Sequence, residues 1–362
     1  MKRLWKIGLV AAMAVMTLAG CGSSNDSDKS GGNEECPVKI GFVTDTGGID
    51  DKSFNQGSWE GIVRWAEENG YSTENGKCIG YVQSNAQADY VPNLSSMAEQ
   101  GYDLVVAAGY LFKDAMDQVA QQFPDTKFFI IDEVVEEDNV VNGMFAGEQS
   151  SYLAGVAAAM QAKADGGDAV GFIGGTDSEL IKAFQAGYEQ GVWSVDPGMK
   201  VMVDYAGAFD DASKGSSLAE KQYGAGAKVI YHAAGGTGAG VIKTAMEKAE
   251  KGESVWVIGV DRDQYDDGKY GDGSKSVILT SALKKVDVST YLVAKSVTDN
   301  SFEGGKTLTF DLSNDGVGVP AENPNLSEDI VKAIETALND MKDGKVEVSA
   351  TPTISNGEVG TK

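Results

Sequence analysis

The sequence predicts an α/β protein made of two Rossmann-like lobes with a ligand cleft between them, and three observations carry that prediction. Short apolar runs alternate with amphipathic stretches of helical period along most of the chain, which is the grammar of a parallel sheet flanked by helices. The alternation runs twice with one shared spacing. Gly41-Phe42 matches Gly171-Phe172, Phe54 and Phe184 stand thirteen residues beyond each glycine, and Gly57/Gly187 and Gly61/Gly191 follow three and seven residues later. Carboxylates recur where strands end, at Asp45, Asp132 and Asp261, the edge at which open α/β sheets bind ligands.

The chain starts with Met1-Lys2-Arg3-Leu4-Trp5-Lys6 and an apolar run to Leu18, too short for a comfortable membrane span, so residues 1–20 read as a signal peptide. Its end, Leu18-Ala19-Gly20-Cys21, resembles the bacterial lipobox, which implies lipidation of Cys21; an ordinary leader with an incidental cysteine is the alternative. Residues 21–36 then form a Ser-, Gly-, Asn- and Asp-rich tether. The remaining length of about 340 residues suits two domains.

The first lobe opens with a strand at 38–43 and a turn, after which Ser53 offers an N-cap to a helix with a stripe of Phe54, Trp59, Ile62, Val63 and Ala66. Strands at 79–83, 104–108 and 127–131 alternate with helices at 90–100 and 111–123. A helix at 152–164 leads to the second series, with strands at 169–173, 200–204, 229–232 and 255–260 and helices at 178–193, 211–223 and 238–251. The first crossing between lobes is expected near 144–149 and the return just past Asp261. Lobe 1 is therefore 37–145 plus 263–310, including a strand at 277–281, Lys284, a helix at 286–300 and a strand at 307–312. Lobe 2 is 146–262 plus 311–345, with a linker at 316–324 and a closing helix at 327–343. Residues 346–362 read as a weakly structured tail.

Charge and composition exclude several functions. The formal charge of −24 becomes about −27 once Lys2, Arg3 and Lys6 leave with the leader, so nucleic acid is not a partner. His232 is the one histidine and no Cys-x-x-Cys pair exists, which argues against a metal site. The same shortage removes Ser-His-Asp and Cys-His catalysis, so no enzyme is expected. The run Gly235-Gly236-Thr237-Gly238-Ala239-Gly240 lacks the Gly-Lys-Ser/Thr ending of a P-loop and the trailing acid of a dinucleotide fold, so no cofactor is expected. It reads as a tight strand-to-helix turn or as a ligand-touching one. Cys36 and Cys78 each precede a strand; if those strands are parallel neighbours the two sulfurs start side by side, and a disulfide is expected, with two buried thiols the alternative.

The ligand candidates follow from these placements. Phe54 sits among the polar residues Lys52, Ser53, Asn55 and Gln56, so it reads as an aromatic platform and Asn55 as an edge-reading amide. Asp45, Asp132 and Asp261 suit a polyhydroxylated ligand, since a carboxylate accepts from vicinal hydroxyls, and Lys284 supplies a donor. Phe209 lies in a similar post-strand loop, and two facing rings would sandwich a planar base, worth on the order of 1 kcal/mol beyond burial.

The motifs Asp45-x-Gly47-x-Ile49-Asp50-Asp51-Lys52-Ser53-Phe54-Asn55-Gln56, Ser150-Ser151-Tyr152-Leu153-Ala154-Gly155, Gly171-Phe172-Ile173-Gly174-Gly175, Gly235-Gly236-Thr237-Gly238 and Ile258-Gly259-Val260-Asp261-x-Asp263-Gln264 resemble the Bmp (basic membrane lipoprotein) family of ABC-transporter substrate-binding lipoproteins, which includes purine-nucleoside receptors. The resemblance implies a type I periplasmic-binding-protein fold with three interlobe crossings. It implies a monomer anchored by lipid at the extracytoplasmic face of the cell membrane, serving an ABC permease. In nucleoside-binding members the base is stacked between aromatics and edge-read by an Asn, while acidic residues and a Lys hold the ribose. That assigns Phe54 and Asn55 to the base and Asp45, Asp261 and Lys284, with Asp132, to ribose or edge contacts. Spacing from Asp261 favours Phe209 as the second ring, whereas the internal repeat favours Phe184. A sugar or signalling molecule on the same fold, and a nucleoside hydrolase, are the competing readings.

Overall fold

A computed structural model describes residues 36–362. The expected signal peptide, Cys21 and the tether up to residue 35 lie outside the described residues.

The first series runs β1 (Ile40–Val43), α1 (Phe54–Glu68), β2 (Ile79–Val82), α2 (Tyr90–Glu99), β3 (Leu104–Ala107), α3 (Lys113–Gln122), β4 (Lys127–Ile131) and β5 (Val140–Phe145). The second runs α4 (Gly147–Ala164), β6 (Ala169–Gly174), α5 (Glu179–Val195), β7 (Lys200–Tyr205), α6 (Ala212–Gly224), β8 (Val229–Ala233), α7 (Gly236–Glu250) and β9 (Trp256–Asp261). A small hairpin, β10 (Lys269–Tyr270) and β11 (Lys275–Ser276), precedes β12 (Ile278–Lys284) and α8 (Val286–Thr298). The chain closes with β13 (Thr307–Phe310), β14 (Val317–Gly318), α9 (Glu328–Lys342) and β15 (Val359–Gly360).

Two main sheets result. One has the order β13-β5-β4-β3-β1-β2 with every pair parallel. The other has the order β14-β12-β9-β8-β6-β7-β15, parallel in its interior and antiparallel at both edges. Alternate residues of each strand serve opposite faces, as the pleat requires. In β3, Val105 and Ala107 pack with Leu94, Met116 and Val119, while Leu104 and Val106 pack with Ile62, Trp65 and Val293. Both faces are covered, which is why these strands read as continuous apolar runs.

Four features depart from the sequence reading. β5 was not anticipated, because Asn142-Gly143 interrupts its apolar run. β12 belongs to the second sheet and not to the first lobe: it pairs in parallel with β9, and Leu279 and Ala282 bury in one cluster with Val260 and Ile258. The return therefore falls between Lys284 and Val286, not past Asp261; α8 and β13 cross over, α8 packing its Thr290 hydroxyl on the Ser58 carbonyl of α1 and β13 pairing with β5. Ser53 does not cap α1 with its side chain; the Asp51 carboxylate accepts the Ser53, Asn55 and Gln56 N–H groups instead. Finally, residues 346–362 are not loose, since β15 pairs with β7 and Ile354 is buried.

The three crossings meet at one point. Phe145 ends β5 on the first and stacks on Phe310, which ends β13 on the third, with ring centroids 4.7 Å apart. Lys284 ends β12 on the second, opposite Val317 of β14, and its Nζ lies 5.2 Å from the Phe145 ring.

The repeated glycines are helix-contact positions. A β-carbon on Gly61 would lie 2.2 Å from the Asp287 carbonyl of α8, and one on Gly191 would lie 2.1 Å from the Tyr152 carbonyl of α4. Each lobe thus uses the same glycine to seat its extra helix. The expected disulfide is present: Cys36 and Cys78 are bonded at the starts of the parallel neighbours β1 and β2.

Gly61→Ala is expected to destabilise the fold by 2 kcal/mol or more, roughly the cost of overpacking a tight contact. Gly224→Ala, where a β-carbon meets nothing within 4 Å at the end of α6, should stabilise by about 0.5 kcal/mol. Urea unfolding of the two variants beside the wild type measures both.

Candidate functional site

The C-terminal ends of the strands in the two sheets face one cavity. Asp45, Phe54, Asn55, Asp132, Phe184, Phe209, Gly235, Asp261 and Lys284 all line it. Of the residues singled out in the sequence, Gly236 alone is absent from the wall; it lies beneath the Phe209 carbonyl, 3.2 Å from where its β-carbon would be.

Asp45 follows β1 and is held from two sides. Its Oδ1 accepts from Asn55 Nδ2 at 2.7 Å and from the Gly47 N–H at 2.8 Å. Asn55 is 1 % exposed. Its other amide hydrogen goes to Asp51 Oδ2 at 2.9 Å, and its Oδ1 accepts the Asp45 N–H at 3.2 Å. Both donors of this amide are spent inside the protein, so Asn55 holds Asp45 and Asp51 in place. The edge-reading group that this arrangement leaves facing the cavity is the Asp45 carboxylate.

Asp132 follows β4 and Asp261 ends β9, with φ of 67° and 66°, the left-handed region that Asp tolerates better than most residues. The turn aims both side chains inward instead of along the strand. Asp132 is 5 % exposed, pairs with Lys284 through Oδ2, and has no partner for Oδ1 among the described residues. Asp261 Oδ2 accepts from the Ser53 hydroxyl. Lys284 is 2 % exposed, with Nζ 4.6 Å from the Phe54 ring centroid and 5.9 Å from that of Phe184. An ammonium over aromatic faces is held by their quadrupoles, which offsets part of its lost hydration.

The rings differ in availability. Phe54 and Phe209 are partly buried, whereas Phe184 is 3 % exposed and packs its edge on Gly147. Phe184 also falls in the second turn of α5, not at a helix start as the repeat suggests. In the Gly-rich turn Thr237 N donates to the Phe209 and Ala234 carbonyls, and Thr237 Oγ1 bridges Ala208 O and Asp211 N. It positions the Phe209 loop.

Tyr110 was missed in the sequence. It lines the cavity, and its hydroxyl bonds Thr176 Oγ1 at 2.9 Å from the opposite lobe. It stands three residues past β3, in the loop at the strand's carboxyl end. Leu180 and Ile181 of α5 and Asp51 were also missed as lining residues; nothing in their local spacing marks them.

Burial raises the Asp45 carboxyl from the ordinary 3.8 to about 6, with the Asn55 hydrogen bond pulling the other way and the Asp51 charge adding to the rise. Asp261 is likewise pushed up to about 6 by burial, against the Lys284 charge and the Ser53 hydrogen bond. Burial raises Asp51 and Asp132 as well, and for Asp132 the Lys284 charge opposes it. Four carboxylates thus share the wall with one ammonium, Lys284, among the described lining residues. The cavity presents hydrogen-bond acceptors and aromatic faces.

Sheet order, crossings and a strand-end cleft define the class: a two-lobed α/β protein with the type I periplasmic-binding-protein fold. The chain belongs to the Bmp family, described as ABC transporter substrate-binding protein PnrA-like, whose model matches residues 38–351. It is 39 % identical over 360 residues to the "CD4+ T-cell-stimulating antigen" of Listeria innocua, covering 97 % of this chain and 99 % of that one. It is 39 % identical over 354 residues to the "ABC transporter nucleoside-binding protein BmpA" of Lactococcus lactis, covering 96 % and 99 %. A crystal structure of an ABC transporter solute-binding protein from Aeropyrum pernix K1 superposes with a TM-score of 0.76 at 26 % identity, covering 87 % of this chain and 94 % of that one. The protein is accordingly a substrate-binding protein of an ABC transporter and not an enzyme, with a small-molecule ligand and a permease as its partners.

Asp45→Asn is expected to stabilise the ligand-free protein at neutral pH. The folded state holds the Asp45 proton more tightly than the unfolded chain, so wild-type stability falls as pH rises from about 4 to about 6, and an amide does not titrate. The variant's advantage should be absent at pH 4 and level off above pH 6 at up to about 3 kcal/mol. Thermal unfolding of both proteins across pH 4–8 checks the window and the sign.

Proposed function

We propose that the protein is a lipid-anchored receptor on the extracytoplasmic face of the cell membrane that binds a purine nucleoside between its lobes and presents it to its permease. The observation that carries the ligand is the composition of the cavity: rings at Phe54 and Phe209, one from each lobe, beside carboxylate oxygens with unspent acceptor capacity, Asp132 Oδ1 among them. A base stacks between the two rings, and Asp45 accepts from its N–H edge. The ribose hydroxyls donate to Asp132 and Asp261, while Lys284 donates to a ribose oxygen. Phe184 closes the side wall under Lys284. A ligand hydroxyl on Asp132 Oδ1 would relieve a buried unpaired acceptor, an effect on the order of 1–3 kcal/mol. The nucleoside-binding relative from Lactococcus lactis supports the same reading.

Calorimetry with inosine, guanosine, adenosine and ribose tests it. A purine nucleoside is expected to bind at least tenfold more tightly than ribose, and Phe54→Ala to cost roughly 2–3 kcal/mol of binding through lost burial and stacking, with the fold intact. Ribose binding as well as inosine, or no nucleoside binding tighter than about 100 μM, would defeat the proposal.

The anchor rests on Leu18-Ala19-Gly20-Cys21. Cells fed a radiolabelled fatty acid should label the wild-type protein and not a Cys21→Ala variant; equal labelling of the two would remove Cys21 as the attachment point.

A further inference from the structure

Helix α5 brings Leu180, Ile181 and Phe184 to the cavity, and one and two turns beyond Ile181 it carries two buried polar residues that do not line it. Gln185 and Glu189 are each 1 % exposed. Both are engaged by the C-terminal segment. Glu189 Oε2 accepts the Thr353 N–H and the Thr353 hydroxyl, each at 2.8 Å, and its Oε1 accepts the Ile354 N–H at 3.3 Å. Gln185 Nε2 donates to the Ile354 carbonyl at 2.7 Å and to Glu189 Oε1 at 2.5 Å, and its Oε1 accepts the Tyr205 hydroxyl at 2.5 Å. The next residue, Gln190, makes reciprocal bonds with the Ser349 backbone at 2.8 and 3.0 Å.

Beyond this clasp the segment continues onto the sheet. The Asn356 side chain accepts the Tyr205 N–H at 3.0 Å, and Val359 and Gly360 pair with Met202 and Val201 of β7. The segment is therefore bonded at once to α5 and to the strand that α5 covers. A carboxylate this deeply buried is stable only with donors around it. No cation reaches Glu189 among the described residues, and three of its four donors come from the segment.

We propose that residues 349–362 form a strap that sets the position of α5 against the cavity, with Glu189 as the positioning residue. The wall made by Phe184 and its neighbours is then held from behind by the end of the chain. Loss of the Glu189 donors' acceptor frees Thr353 and Ile354, and with them the hold on Gln185, the residue next to Phe184. Ligand affinity in the cavity thus depends on residues remote from it, an inference that rests on the nucleoside reading above for its affinity arm alone.

Full-length Glu189→Ala and Glu189→Gln variants test this with two readouts. Hydrogen exchange of residues 179–187 in the ligand-free protein should quicken at least tenfold in Glu189→Ala while α1 exchanges at its wild-type rate. Glu189→Gln, which keeps an acceptor oxygen, should fall between. Inosine affinity should drop about tenfold in Glu189→Ala, and that penalty should shrink below twofold in a Phe184→Ala background, where the held ring is already gone. Unchanged exchange over 179–187, or an equal penalty in both backgrounds, would overturn the strap. If the wild type binds no nucleoside, the functional reading fails, and the exchange comparison still decides the strap by itself.

Discussion

The buried ion pair of Lys284 and Asp132 is the contact around which this molecule is arranged. It joins the end of a strand in one sheet to the end of a strand in the other, at the place where all three crossings pass. Burying two charges costs several kcal/mol per ion, and a pair so placed is stable only with good geometry and further partners. Three rings supply part of that. Phe54, Phe145 and Phe184 surround the ammonium and come from the first helix, the first crossing and the α5 wall. Removing one member of the pair would strand a buried charge, so the lobes' relation to each other and the shape of the cavity share one electrostatic origin.

The same site carries a cost that the fold does not need. Four carboxylates sit in one poorly hydrated cavity, and burial pushes each of them toward protonation. Two stand in left-handed backbone, which most L-residues avoid. Strain and like charge at one spot are a sign of function bought with stability. The remainder of the protein compensates through ordinary means: apolar sheets covered on both faces, glycine-seated helix contacts and a disulfide at the edge of the first sheet.

Much of this was legible in the residues. The strand-end rule found Asp45, Asp132 and Asp261 because a parallel sheet exposes its carboxyl ends, and period alone located most strands. The repeated Gly spacing marked two units on one plan, and the structure shows Gly61 and Gly191 at equivalent helix contacts. What failed did so for identifiable reasons. β12 was placed in the wrong lobe because its sequence carries no mark of which sheet edge it will join; pairing with β9 and cover by shared apolar neighbours decide that. Asn55 looked like a free amide because a sequence does not show that Asp45 and Asp51 consume its hydrogens. The C-terminal tail looked loose because its anchors, Gln185 and Glu189, lie some 160 residues away.

The sequence by itself determined the α/β class, the two-series plan, the family and the charged and aromatic side chains Asp45, Phe54, Asp132, Phe184, Phe209, Asp261 and Lys284 that line the cavity. Those follow from local periodicity, strand-end placement and short motifs, all of which act over a few residues. Only the tertiary structure decided which donors are already spent, which ring is open to a ligand, where the chain recrosses and what holds α5 from behind. Each of these depends on contacts between segments far apart in the chain, and such contacts are fixed by packing and hydrogen-bond satisfaction in three dimensions, which no local pattern encodes.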